Sequence, residues 1–102
     1  MKEYKVRILD TVFADIGDIA DYIVSVSNSK HALEYTRQLG AEIMSLRYLA
    51  DVIPISRWHA VLRYHPQARQ MRTHNKRLNI IFHIEEDTVI VDKILAASMI
   101  VD

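Results

Sequence analysis

Cysteine is absent from this sequence, and only two glycines and two prolines occur among its 102 residues. Without cysteine there is no disulfide framework, thiolate zinc ligand or cysteine nucleophile, so the sequence predicts a cytoplasmic protein. No apolar stretch of about 20 residues is present to span a membrane. The opening MKEYKVRIL also lacks the apolar run of roughly 7 to 15 residues that marks a signal peptide. We therefore expect no membrane partner.

The sequence predicts no cofactor and no metal ion. Its two glycines, Gly17 and Gly40, cannot build a glycine-rich phosphate loop. His59, His65 and His74 lack the spacing of metal ligands, such as two histidines one turn apart on a helix.

The composition is that of an ordinary globular protein. Half of the residues are hydrophobic, and 25% are charged. A chain of this length buries one core and is too short for a second domain. We therefore predict a single domain spanning residues 1–102.

The formal net charge is zero, but the charges are unevenly distributed along the chain. No acidic residue occurs between Asp51 and Glu85, and acids concentrate in the first half of the chain. This asymmetry indicates a surface that attracts a polyanion. The acid-free stretch contains these basic residues and histidines: Arg57, Arg63, Arg69, Arg72, Lys76 and Arg77, with His59, His65, His74 and His83.

Hydrophobic periodicity predicts one strand followed by two helices. Apolar residues alternate along YKVRIL, as they do in a half-buried strand. From Thr11, a plausible N-cap, apolar residues recur at helical spacing as far as Val24. SVSNSK interrupts this helix, and Ser29 is predicted to cap the next. Gly40 lowers the propensity of the second helix by about 1 kcal/mol relative to alanine, so we interpret it as a close approach to a neighbouring backbone.

Two hairpins are predicted after the loop-like stretch LADVIPISRWHAVLRYHP. A two-residue turn at positions 75–76 places Met71 opposite Ile80 and Arg69 opposite Phe82. In this register the strand that follows has an apolar side, consisting of Leu78, Ile80, Phe82 and Ile84. The opposite side collects polar residues, namely Arg72, His74, Arg77, Asn79 and His83.

The predicted fold is α+β, with an N-terminal strand, a helical hairpin and a three-strand antiparallel meander. We expect the helices to pack on the apolar side of an antiparallel sheet and to leave the other side exposed as a basic face. The turn EED leads into the last strand, TVIVDKIL. Whether Asp92 or Lys93 shares the basic face stays open at this point.

The order of elements and three stretches of sequence resemble the RelE/ParE superfamily of bacterial type II toxins. These stretches are YKVRIL with TVFADIGDIADYI, the helix HALEYTRQLGAEIMSL, and the terminal RLNIIFHIEEDTVIVDKIL. Superfamily members commonly have a strand like NIIFHI, an acidic turn like EED and a last strand like TVIVDKIL. The resemblance covers nearly the whole chain.

The resemblance implies a growth-inhibiting toxin that a cognate antitoxin protein neutralises. Some superfamily members, such as RelE and YoeB, cleave mRNA on the ribosome, and others, such as ParE, poison DNA gyrase. One fold serves both mechanisms, so the fold does not identify the target. We favour ribosome-dependent mRNA cleavage. The alternatives are a ParE-like gyrase inhibitor and a diverged, non-toxic module that binds an antitoxin or nucleic acid.

Cleavage of RNA through its 2′-hydroxyl requires a base, an acid and cations that stabilise the phosphorane. In this interpretation His74 and His83 exchange protons, and Arg72 and Arg77 hold the phosphate. The further residues predicted to bind nucleic acid are Arg57, Arg63, Arg69, Lys76 and Lys93.

Two departures from the pattern of the nuclease members bear on this choice. Asn79 stands ahead of Phe82 where nuclease members often have an arginine. The ending AASMIVD also lacks the C-terminal histidine or tyrosine of those members. A gyrase inhibitor needs no proton-transfer residues, so these absences count less against it.

Overall fold

The sheet combines the N-terminal strand with the C-terminal meander. In the computed structural model, which describes residues 2–100, the strands are β1 (Lys5–Ile8), β2 (Arg69–Arg72), β3 (Leu78–Glu85) and β4 (Thr88–Ala96). They lie in the order β1-β4-β3-β2. The antiparallel meander is confirmed. The whole sheet is mixed rather than antiparallel, because β1 joins β4 as a parallel neighbour.

The predicted helical hairpin is present as α1 (Asp10–Val26) and α2 (Ser29–Met44). A Cβ atom placed on Gly40 of α2 would meet no heavy atom within 4 Å, so the predicted close approach is wrong. None of the helices that residues 2–100 form has both the length and the apolar character needed to cross a bilayer.

Both predicted helix caps are wrong, the first by two residues and the second by one. The helix α1 begins before Thr11, with Leu9 at the N-cap position and no side-chain hydrogen bond there. Asn28, rather than Ser29, caps α2, and its Oδ1 accepts the backbone N–H of His31 at 2.8 Å. Asparagine is as effective at this position as serine.

One face of the sheet packs against α1 and α2 to form the main core. Phe82, Ile80 and Val91 are fully buried there. Burial of one such side chain stabilises the fold by about 1.5–3 kcal/mol. The predicted inward set is confirmed, since Leu78 and Ile84 also pack against this cluster.

The segment between the helices and the meander is more ordered than predicted. It contains the short helices α3 (Leu46–Leu49) and α4 (His59–Leu62) and a 3-10 turn at Ala50–Val52. Val61 of α4 packs with Ala68, Ile81 and Leu95 in a second buried cluster on the other face of the sheet. That face is therefore covered.

The predicted exposed basic face is consequently wrong. Asn79 is only 1% exposed and His83 only 5% exposed, so neither side chain contributes to an exposed face. Arg72, His74 and Arg77 are exposed, but they lie at the end of β2 and in the turn that follows it.

The predicted register of the first hairpin is confirmed, with Arg69 opposite Phe82 and Met71 opposite Ile80. Its connection is longer than two residues, because the strands end at Arg72 and resume at Leu78. The Lys76 N–H donates to the Thr73 carbonyl at 2.8 Å, and Lys76 adopts a left-handed φ of 64°. The second hairpin has a tight turn in which Glu85 pairs with Thr88.

Candidate functional site

A β-bulge in β4 makes two neighbouring charged side chains point in different directions. Ile81 pairs with Lys93 and Phe82 pairs with Val91, which leaves Asp92 without a partner in the strand ladder. A bulge of this kind re-aims side chains next to the extra residue. Asp92 reaches the face that carries the second cluster, whereas Lys93 reaches α1.

On that face, the imidazole of His83 lies between two carboxylates. Its Nδ1 is 2.6 Å from Oδ2 of Asp92, and its Nε2 is 3.1 Å from Oε1 of Glu85. The side chains of His83 and Asp92 are 6% and 9% exposed, whereas that of Glu85 is 60% exposed. The ring of His83 is thus buried, and Glu85 is the exposed member of the three.

The number of N–H groups on the His83 ring determines how many of its two carboxylate contacts can be hydrogen bonds. A neutral imidazole has a single N–H, so it donates to only one of the two carboxylates. Burial raises the pKa of the Asp92 carboxyl, and the hydrogen bond with His83 opposes this effect. When both carboxylates are ionised, the neutral ring leaves two lone-pair atoms facing each other, either beside Asp92 or beside Glu85.

A second imidazole stacks on the first. The rings of His65 and His83 are parallel within 2°, with their centroids 3.7 Å apart. His65 lies in the loop after α4, where its Nδ1 accepts the Gln67 N–H at 3.0 Å. One ligand-type atom from each of His65, His83 and Glu85 lies within 4.8 Å of the others. We call His65, His83, Glu85 and Asp92 the histidine cluster.

The structure does not bring the two predicted proton-transfer residues together. His83 follows Phe82, which pairs with the first residue of β2, Arg69. His74 lies in the turn beyond the last residue of β2. The two histidines therefore occupy opposite ends of the first hairpin and do not form one site.

Two of the predicted nucleic-acid contacts are engaged inside the protein. Nζ of Lys93 lies 3.0 Å from Oδ1 of Asp15 in α1. The guanidinium of Arg69 donates to the carbonyl of Ile53 at 2.6 Å, with the Ala50 carbonyl at 3.4 Å. These side chains join the sheet to the preceding segments.

The other predicted cations are exposed in separate places. Arg57 precedes α4 and Arg63 follows it, and the guanidinium of Arg63 lies 5.8 Å from the ring centre of Tyr64. The turn of the first hairpin and its flanks hold the remaining exposed group, which is Arg72, His74, Lys76 and Arg77. We call this group the turn cluster.

A buried carboxylate on α2 anchors the turn cluster. Oε1 of Glu42 accepts the backbone N–H of His74 at 2.6 Å, and the side chain of Glu42 is 8% exposed. Glu42 and His74 also line a cleft of about 340 Å³ together with Arg72 and Met71.

An apolar groove of about 420 Å³ lies beside the helical hairpin, where β3 begins and β4 ends. Tyr22 and Ile19 of α1 form one wall, and Leu78 and Ala96 form the other. Tyr22 is 67% exposed. Arg77 lies at the edge of this groove, so the groove adjoins the turn cluster.

Sequence reasoning missed the histidine cluster and the role of Glu42. His65 and Glu85 are distant along the chain and meet only because the loop after α4 folds over the sheet. The position of Glu42 among the apolar residues of α2 was a usable signal, since buried carboxylates are rare without partners. It follows the buried Leu39 by three residues and precedes the buried Ile43.

Comparison with known proteins supports the fold assignment. No protein-family profile matches the chain, and no curated protein sequence matches it significantly. A solved structure described as "Chromosomal ParDE TA system from P. aeruginosa" contains a chain that superposes with a TM-score of 0.79 at 14% sequence identity. The match covers 92% of this chain and 96% of that chain. The protein shares the fold of that chain. The resemblance seen in the sequence is therefore confirmed for the fold.

Proposed function

We propose that this protein is the toxin of a bacterial type II toxin–antitoxin pair. The observation that carries the proposal is the shared fold over 92% of the chain with a chain from a ParDE toxin–antitoxin system. A match of this extent includes the helical hairpin and the meander rather than one common motif. The proposed activity is growth arrest, which a cognate antitoxin protein relieves.

The apolar groove beside the helical hairpin is the proposed docking site of the antitoxin. Exposed Tyr22 and neighbouring Ile19 offer apolar contact, and Arg77 offers a positive charge at the edge. An amphipathic helix with an acidic residue on one flank fits this combination, because its apolar side fills the groove and its carboxylate faces Arg77.

For the mechanism, we propose inhibition by binding to a protein target such as DNA gyrase. Two observations favour this over RNA cleavage by the predicted residues. His74 and His83 are at opposite ends of the first hairpin, so they cannot serve as one acid–base pair. Asp92 and Glu85 also flank His83, and their negative charges repel an approaching phosphate.

The decisive experiment is induction of the protein in a bacterial host, with two readouts in parallel. Trapped gyrase–DNA complexes, with mRNA left intact, are the expected result. Cleavage of mRNA at ribosomal positions would instead identify a nuclease and refute target binding as the mechanism. Unhindered growth at full expression of folded protein would refute the toxin assignment itself.

Antitoxin docking is tested by pairing two tyrosine substitutions. We expect Tyr22→Glu to retain toxicity but to escape neutralisation by the antitoxin, which a neighbouring small reading frame is expected to encode. Tyr48→Glu is the matched control, because Tyr48 is also exposed but lies on α3, away from the groove. Equal neutralisation of both variants would place the antitoxin elsewhere.

A further inference from the structure

We propose that the histidine cluster binds one divalent transition-metal ion, with Zn²⁺ as the expected ion. The ligands are an imidazole nitrogen from each of His65 and His83 and a carboxylate oxygen of Glu85. Two nitrogens and one oxygen form a donor set that suits zinc and its first-row neighbours. This proposal does not depend on the proposed toxin function.

The distances among the three ligands are close to those of a metal site. Their ligand-type atoms lie within 4.8 Å of one another, and Nε2 of His83 is 3.1 Å from Oε1 of Glu85. Ligands about 2.1 Å from a tetrahedral zinc ion are roughly 3.4 Å apart. The rings of His65 and His83 are stacked in parallel, so His65 must turn out of this stack before its nitrogen faces the ion, and the exposed side chain of Glu85 closes the remaining distance.

The contact between His83 and Glu85 places two ligand-type atoms close enough for one cation to bind both. When Nδ1 of His83 donates its hydrogen to Asp92, the lone pair of Nε2 faces a carboxylate oxygen at 3.1 Å. Two lone-pair atoms at this distance repel each other unless a proton or a metal ion lies between them. The cluster holds two carboxylates and no lysine or arginine, so its charge also favours a cation.

Asp92 has the position of an orienting residue behind the metal. A metal-bound histidine usually donates its other ring N–H to a carboxylate or carbonyl, which fixes its tautomer and its direction. The 2.6 Å contact between Nδ1 of His83 and Asp92 provides this bond. Asp92 is therefore a positioning residue, whereas Glu85, at 60% exposure, lets the ion enter from solvent.

Binding changes the hydrogen bonding of His65 in a way that can be measured. Without metal, Nδ1 of His65 accepts the Gln67 N–H, so the hydrogen of the neutral ring is on Nε2. Ligation through Nε2 moves that hydrogen to Nδ1 and breaks the bond, and ligation through Nδ1 displaces the Gln67 amide directly. In both cases the Gln67 amide signal is expected to shift in the ¹⁵N spectrum.

The test is a titration of the untagged protein with Zn²⁺ alone. Binding is monitored by calorimetry and by ¹⁵N amide spectra. We expect one ion per chain. His65→Ala and Glu85→Gln should each weaken binding by about tenfold or more, and Asp92→Asn by about 10–100-fold. Replacement of Zn²⁺ by Co²⁺ should give the visible absorption of a tetrahedral site.

Two matched variants control this experiment. Glu86→Gln removes an exposed carboxylate next to Glu85, and His31→Ala removes an exposed imidazole on α2. Both should bind Zn²⁺ like the wild type. Absence of stoichiometric binding, or equal weakening by test and control variants, would overturn the proposal. Glu85→Gln alters only an exposed side chain and is expected to fold. The test therefore stays decisive even if His65→Ala fails to fold.

Discussion

Nζ of Lys93 lies 3.0 Å from Oδ1 of Asp15, which ties the last strand to the first helix. The two side chains are 32% and 20% exposed, so water screens this pair less than an ion pair on the open surface. We predict that Lys93→Met lowers the free energy of unfolding by about 1 kcal/mol, measured by urea denaturation.

Lys5→Met is the control for this prediction. Lys5 and Asp87 form an ion pair at 3.6 Å with both side chains well exposed. We expect that variant to change the free energy of unfolding by less than about 0.5 kcal/mol near pH 7. Equal losses in the two variants would mean that the partial burial of the Lys93 pair has no energetic effect.

Arg69 is predicted to stabilise the fold rather than to bind nucleic acid. Its guanidinium donates to the Ile53 carbonyl at 2.6 Å, and a charged hydrogen bond of this kind contributes about 1.5–3 kcal/mol. We expect Arg69→Met to lose that amount in urea denaturation, whereas exposed Arg72→Met changes stability by less than about 0.5 kcal/mol. An Arg69→Met variant with an unchanged free energy of unfolding would contradict the assignment.

Glu42 is predicted to hold the turn of the first hairpin through a single acceptor oxygen. Glu42→Gln retains an oxygen for the His74 N–H, whereas Glu42→Met retains the size of the side chain but has no comparable acceptor. We expect Glu42→Met to be less stable than Glu42→Gln by about 1–3 kcal/mol in chemical denaturation. If the His74 amide exchanges its hydrogen faster in Glu42→Met but not in Glu42→Gln, the loss of stability comes from the missing hydrogen bond to that amide.

Asp87 is predicted to make stability depend on pH in the acidic range. The Thr88 hydroxyl, and secondarily the charge of Lys5, lower the pKa of the Asp87 carboxyl below its usual value of 3.8. A lowered pKa stabilises the folded state above 3.8, and this contribution disappears as the pH falls through the folded pKa. The wild type should therefore have a higher melting temperature than Asp87→Asn at neutral pH, and this difference should shrink in strong acid. A constant difference across this range would exclude the carboxylate as its source.

The sequence was sufficient for those parts of the fold that local patterns determine. Alternation along residues 78–84 and a short turn gave the correct pairing of Arg69 with Phe82, because a one-residue slip would expose the entire apolar side. The helical hairpin followed from apolar spacing in the same way. The cap of α2 was misplaced because Asn28 and Ser29 are neighbouring residues that both favour the N-cap.

The candidate site could not be predicted because distant packing creates it. Val61 lies in a helix of four residues, too short for its periodicity to show, yet this helix helps to cover the face that was expected to be basic. The bulge at Asp92 likewise has no local marker, and it turns Lys93 towards α1. Arg69, from the acid-free stretch, and Lys93, from the last strand, were therefore assigned to one surface that the structure does not form.

The parallel pairing of β1 with β4 has a consequence for biosynthesis. Lys5 is translated long before its ladder partner Thr88, because both long helices and the first hairpin lie between them in the sequence. Contacts this remote in sequence close late, since a long loop must be ordered before they form. During translation β1 therefore has no neighbour in the sheet until β4 has emerged from the ribosome.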